Sequence, residues 1–158
     1  MTNMKERKIH IRQAIQDDIE SIVRFNIELA YDTENIVLSR QKLLDGVTAM
    51  FKDPLKGFYV IAECDGVVVG QTMITYEWSD WRNAIFWWIQ SVYVLPDYRK
   101  VGVLRSIFEQ IKSLAMESNV CGLRLYVYKD NNVAKKAYQS LGMEESHYEF
   151  YEMMLTSG

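Results

Sequence analysis

The stretch "VYVLPDYRKVGVLRSIF", residues 92–108, decides how the rest of the chain is read. Val92 and Val94 end an alternating β pattern, Pro96 stops it, Arg99 and Lys100 form a basic pair, and an apolar stripe at helical spacing begins at Val103. A strand that runs straight into a helix leaves the first helical N–H groups without partners. Those groups sit in the field of roughly half a positive charge, which suits an anion. Arg99, Lys100 and Arg105 add positive charge, and Gly102 allows the backbone to approach a ligand closely. An ordinary exposed basic helix start has the same features. Neither a Walker sequence nor a G-x-G-x-x-G surrounds them, which argues against nucleoside triphosphate or dinucleotide chemistry.

At 158 residues, with no low-complexity tract, repeat or Gly/Ser linker, residues 1–158 read as a single domain. Apolar residues at 49% against 25% charged imply a globular chain with a generous core. The net charge of −3 gives no electrostatic reason to expect nucleic acid. No window offers a membrane span, and the charged start "MTNMKERKIHIRQA" lacks a secretory apolar region, so the expectation is a cytoplasmic protein. Cys64 and Cys121 lie in apolar runs and read as small buried hydrophobes in a reducing compartment.

Around the opening stretch the elements follow in order. "KIHIRQA" alternates as a strand, and Asp17 or Asp18 can cap a helix carrying Ile19, Ile22, Val23, Ile27 and Ala30. Ser39 can cap a second helix that stops by Asp53-Pro54. "FYVIAEC" and "VVVGQTMITY" flank Asp65-Gly66, a strong hairpin signal. "AIFWWIQSVYV" suits a central strand with both faces covered. The helix over 103–115 places Val103, Leu104, Ile107, Phe108, Ile111, Leu114 and Ala115 on one face. "GLRLYVY" is a further strand, a short helix spans about Asn132 to Leu141 and ends at Gly142, and "YEFYEMML" is a last strand. The order predicts an α/β, mixed α+β arrangement: a mostly antiparallel sheet of about six to seven strands with helices on both faces.

Two groups of residues resemble the signatures of the GNAT superfamily of N-acetyltransferases, which use acetyl-coenzyme A. One is Val92-Tyr93-Val94-Leu95-Pro96-Asp97-Tyr98-Arg99-Lys100-Val101-Gly102-Val103-Leu104; the other is Asn131, Ala134, Tyr138 and Gly142-Met143. The order of elements matches over essentially the whole chain. Leu104 stands where the family usually has Gly or Ala, and its place on the apolar stripe directs its side chain to the core.

The resemblance implies that the amides of Val101, Gly102, Val103, Leu104 and Arg105 hold the coenzyme A pyrophosphate, with Arg99 or Lys100 offsetting further charge. It implies that Val92 and Val94 pair with the pantetheine arm in a gap beside "LRLYVY", and that the Val94 N–H meets the acetyl carbonyl. Asn131 belongs to the cofactor-binding set. Tyr138 is the expected general acid toward the leaving thiolate. The implied activity is transfer of an acetyl group to a primary amine by direct attack; the alternative is a non-catalytic coenzyme A-binding or sensor module. The co-substrate is acetyl-CoA, and no metal is expected. The acceptor is a small-molecule or peptide amine, with no nucleic acid and no membrane, and an exposed strand allows a homodimer. For the base, residues 84–95 contain no carboxylate, which leaves Glu28, Asp32, Glu34, Glu77 or a water held by Gln90. Trp78, Trp81, Trp87 and Trp88, with Tyr31 and Tyr76, can form an aromatic wall or core; Trp87 and Trp88, as strand neighbours, cannot line one pocket together.

Overall fold

The computed structural model describes residues 7–157. The β-rich runs form one sheet whose spatial order follows the chain: β1 (Ile9–Gln13), β2 (Phe58–Cys64), β3 (Val67–Ser79), β4 (Ala84–Val94) and β5 (Gly122–Arg124). The first three pairings are antiparallel, while β4 and β5 run parallel. The parallel pair needs a crossover, supplied by α3 (Val103–Glu117). Helices α1 (Ile19–Glu34) and α2 (Arg40–Lys52) cover one face, burying Ile22, Val23 and Val47 with Tyr59 and Ile61. On the other face Val103, Ile107, Phe108, Ile111 and Ala115 of α3 pack on Val60, Val69, Ile74, Trp87 and Val94. Leu141 and Met143, at the end of α4 (Asn132–Ser140), join that second core.

Local signals explain most of these boundaries. Ser39 Oγ accepts from the Lys42 N–H at 3.3 Å and starts α2. Asp65 and Gly66 both have positive φ, +52° and +79°, as a tight hairpin turn requires. Asp18 stands before α1, yet its carboxylate reaches back to the Ile15 N–H at 2.8 Å and to Arg12 at 2.7 Å instead of capping the helix. Arg12 also bonds Glu63 at 2.8 Å, so one guanidinium ties the start of α1 to β1 and β2. Burial pushes the Asp18 carboxyl up, but Arg12 and the Ile15 N–H outweigh it and hold it below the usual range.

Among the described residues the sheet has five strands where six to seven were expected. "GLRLYVY" pairs only over Gly122–Arg124, because the chain then diverges from β4. "YEFYEMML" forms no strand: its available neighbour is the unpaired 125–128 segment, which it meets through stacked rings of Tyr126 and Phe150 at 5.4 Å. Tyr148, Phe150, Tyr151, Met153, Met154 and Leu155 stay exposed. Two smaller expectations also fail. Leu104 is only half-buried and lies outside the core cluster, since the α3 stripe turns on Val103, which is 1% exposed. Cys121 is exposed, with Sγ 3.3 Å from the Ile85 carbonyl; Cys64 is buried, and both are free.

Candidate active site

The opening stretch folds as a strand end feeding a helix. After Val94 the Leu95 N–H bonds the Val69 carbonyl at 2.8 Å, a single turn over 96–98 follows, and Lys100 (φ +61°) and Gly102 (φ +92°) bring the chain into α3. The Ser106 N–H bonds the Gly102 carbonyl at 3.0 Å, so the N–H groups of Val103, Leu104 and Arg105 precede the first helical bond. No side chain caps this end. The space above Gly102 is open, with no atom within 4 Å of where a Cβ would stand. Close packing brings the turn down onto the sheet. A Cβ at Gly70 would stand 3.2 Å from the Tyr93 carbonyl oxygen and 3.3 Å from Val103 Cγ1, so only a missing side chain lets α3 sit this low on β3.

The basic residues of the turn divide. Arg99 Nε donates to the Val94 carbonyl at 2.8 Å, its guanidinium lies 5.4 Å from the Tyr93 ring centre, and Asp32 is 3.8 Å away. Arg99 is thereby turned toward the α1 face. Arg105 reaches the Ser140 carbonyl at 3.5 Å and links the start of α3 to the end of α4. Lys100, at the surface, follows the turn.

Beside the turn, β4 has one edge without a ladder. It pairs with β5 only from Phe86 to Trp88, although it continues to Val94. The Leu95 N–H points to β3, and Tyr93 pairs with Gln71 there, so by alternation the backbone groups of Val92 and Val94 point into the widening gap. Arg99 occupies the Val94 carbonyl, which leaves the Val94 N–H and both polar groups of Val92 on that edge. Between Gln90 and Tyr93 the strand bulges: Ser91 and Val92 together oppose Thr72, and Ser91 has φ +52°.

Asn131 Oδ1 accepts from the Ala134 N–H at 3.1 Å and caps α4, so this side chain fixes the helix that carries Tyr138. Burial alone raises the Tyr138 phenol to about 12. The hydroxyl is therefore protonated throughout the neutral range.

The carboxylates expected near the site do not gather in one place. Glu28 accepts from the Tyr93 hydroxyl at 2.7 Å, beside the bulge on the α1 face. Burial, then Glu28, raises the Tyr93 phenol to about 12. Asp32 lies by Arg99, and Glu34 is exposed at the end of α1. Glu77 is bound by Arg124 and by Trp88 Nε1 at 3.2 Å, at the far end of β4. That end carries a cavity of about 280 Å³, lined by Trp78, Trp81, Phe86 and Tyr148 among others. Gln90 Nε2 bonds Thr75 Oγ1 at 2.6 Å. Trp87 is buried against Phe58, while Trp88 faces the other way toward Tyr126, so the six aromatics form no single wall. The sequence reading missed Tyr93 with Glu28, and Gln71 with Thr72; the polar pair inside the apolar run "VVVGQTMITY" was its available signal. Among the described residues there is no cluster of metal-ligating side chains and no helix long and apolar enough to cross a membrane.

The acetyltransferase (GNAT) family model matches residues 20–143, which include the turn, the divergent strands and α4. This chain belongs to that family. An uncharacterized N-acetyltransferase of Archaeoglobus fulgidus is 26% identical over 133 residues, 84% of this chain and 90% of the relative. The crystal structure of a possible acetyltransferase from Clostridium difficile 630 superposes with a TM-score of 0.88 at 45% identity, covering 94% of this chain and 99% of that one. An aminoglycoside N-acetyltransferase in complex with CoA shares the fold at a TM-score of 0.76 and 16% identity, over 95% of this chain and 97% of that one. The GNAT chain is thus an acetyltransferase by family, on a five-stranded form of the fold.

Proposed function

We propose that this GNAT chain moves the acetyl group of acetyl-coenzyme A to a primary amine by direct attack. The observation that carries the reading is the free edge of β4 at Val92 and Val94 lying next to the uncapped start of α3. A ligand with an anionic end and a peptide-like arm fits both features at once. The amides of residues 101–105 receive the pyrophosphate, with Lys100 and Arg105 nearby, and the pantetheine amides pair with the β4 edge as an added strand. The CoA complex of the structurally similar aminoglycoside acetyltransferase supports this choice of ligand. The resemblance points to the Val94 N–H for the acetyl carbonyl; Val92, nearer the point where β4 and β5 part, offers its N–H to the same gap, and we take it as the group that meets the acetyl carbonyl and stabilises the developing oxyanion.

The acceptor attacks as a neutral amine: nitrogen bonds to the carbonyl carbon, the tetrahedral centre collapses, and the C–S bond breaks. Tyr138 gives its proton to the departing sulfur and recovers one from solvent. The ammonium proton leaves through water. Glu28 is the carboxylate that touches β4 beside the bulge, which favours it as the terminal acceptor over Glu77, already paired with Arg124. Glu28, half-buried on α1 beside β4, also favours a cationic, amine-bearing acceptor, either a small molecule or a peptide.

Thiol release is the direct test. With acetyl-coenzyme A and a panel of primary amines, coenzyme A should appear in step with acetylated amine. In Tyr138→Phe, kcat should fall on the order of a hundredfold while coenzyme A affinity holds, the size expected for losing a general acid. No thiol release across the panel, or an unchanged kcat in the Phe variant, overturns the respective part of the reading.

A further inference from the structure

The bulge in β4 has a cause in β3. Ser91 holds φ +52°, a conformation that costs a non-glycine residue on the order of 1–3 kcal/mol and persists only where the surroundings over-determine it. Two side chains meet that requirement, from opposite faces of the sheet. Gln71 pairs in register with Ile61 and Tyr93, on the α1 face, and its Nε2 donates to the Ser91 carbonyl at 3.2 Å. Thr72 pairs with Val60, on the α3 face, and its Oγ1 donates to the Gln90 carbonyl at 2.9 Å. Successive carbonyls of the bulge are thereby gripped from both sides. Both side chains are fully enclosed, at 0% exposure.

Gln71 is hard to explain by stability. Its Oε1 is buried without a hydrogen-bond partner, a state that costs about 1–3 kcal/mol, and a methionine of similar length would fill the space without that penalty. What the glutamine does, and a methionine cannot, is hold the Ser91 carbonyl.

We infer that Gln71 and Thr72 are positioning residues which lock the β4 bulge, so that the Val92 N–H stands ready in the gap for the acyl carbonyl. The inference rests on the acetyl-transfer reading for its catalytic consequence and on the hydrogen bonds alone for its structural one. It predicts a division of labour within the site. The start of α3 holds the anionic end of the cofactor and is independent of the bulge; the bulge sets the orientation of the reacting carbonyl.

The test uses Gln71→Met, Thr72→Val and the conservative Thr72→Ser in the full chain, read two ways. Amide hydrogen exchange of a fragment spanning residues 89–94 should speed up in Gln71→Met and Thr72→Val and stay as in the parent in Thr72→Ser. With acetyl-coenzyme A and the best amine, kcat should fall about tenfold to a hundredfold in the first two, with coenzyme A affinity within about threefold of the parent, because a misplaced reacting group costs rate before binding. Thr72→Ser should keep the parent kcat. Unchanged exchange in both Gln71→Met and Thr72→Val overturns the lock, whatever the activity. Faster exchange with unaltered kcat overturns the catalytic role. An inactive parent chain would sink the acetyl-transfer reading instead, leaving the exchange arm to decide the lock.

Discussion

Gly102 shows how much a single residue without a side chain can decide. Its φ of +92° and the open space above it combine a left-handed turn with an unobstructed row of helical N–H groups. Gly102→Asp should raise the coenzyme A dissociation constant at least about tenfold, since a carboxylate would sit at the anion's place and repel it. Stability should drop only by about 1 kcal/mol, the scale of a non-glycine residue in that conformation. Isothermal titration and thermal melting separate the two, and unaltered affinity would remove the turn from the binding site. On β1, Arg12 holds Asp18 and Glu63. Arg12→Met should cost about 1–3 kcal/mol at neutral pH by leaving the nearly enclosed Asp18 carboxylate without its main partner. The folded-state value of Asp18 is depressed, so the stability it adds is present above the ordinary carboxylate range and is lost as pH falls through the folded value. The gap between parent and variant should therefore close in acid, and a gap independent of pH would contradict the pairing.

Elements were legible in the sequence where one physical signal acted locally. Asp65-Gly66, the Ser39 cap, the helical stripe of α3 and the left-handed Gly142 (φ +93°) all appear where the residues placed them. The motif around Gly102 was legible for the same reason: strand, turn and helix are consecutive in the chain. What the sequence could not give depends on partners far along it. "YEFYEMML" has strand-like residues, yet a strand needs a neighbour, and the divergence of 125–128 from β4 removes the nearest one. Leu104 sits on the right helical arc, but contact with Gly70 makes Val103 the residue that the sheet receives. Along α1 the buried set includes Phe25 and Asn26, outside the simple apolar stripe, because Phe25 packs on Tyr93 at 5.2 Å and Asn26 is satisfied by the Ile22 carbonyl at 3.0 Å. The grip of Gln71 and Thr72 on β4 joins residues about twenty positions apart, and no periodicity reports it.

At the scale of the whole molecule, burial should be readable in the phenols. Tyr59, Tyr93 and Tyr138 are each raised to about 12, chiefly by burial, within a set of ten tyrosines. In an alkaline titration followed by phenolate absorbance, these three should ionise last. Because their folded values are raised, the stability they contribute is complete below the ordinary phenol value and is lost as pH climbs toward about 12. Loss of structure should accompany their ionisation, and a single smooth transition near the free phenol value with no unfolding would contradict these raised values. The divergence of β4 and β5 also bears on the order of assembly. β1 to β4 are spatial neighbours in sequence order and close through antiparallel pairings, whereas β5 returns after a helix and is held to β4 by three residue pairs, Phe86 to Trp88 with Gly122 to Arg124. Non-local parallel pairing is slow to form and easily lost, so the β5–α4 segment, beyond the core-packed α3, should join the sheet last and leave it first. The cofactor gap lies on that seam. Bound coenzyme A would staple the late segment to the rest, and a brief protease pulse under mild denaturant should cut first after residue 117 in the free protein and be delayed there when the cofactor is present.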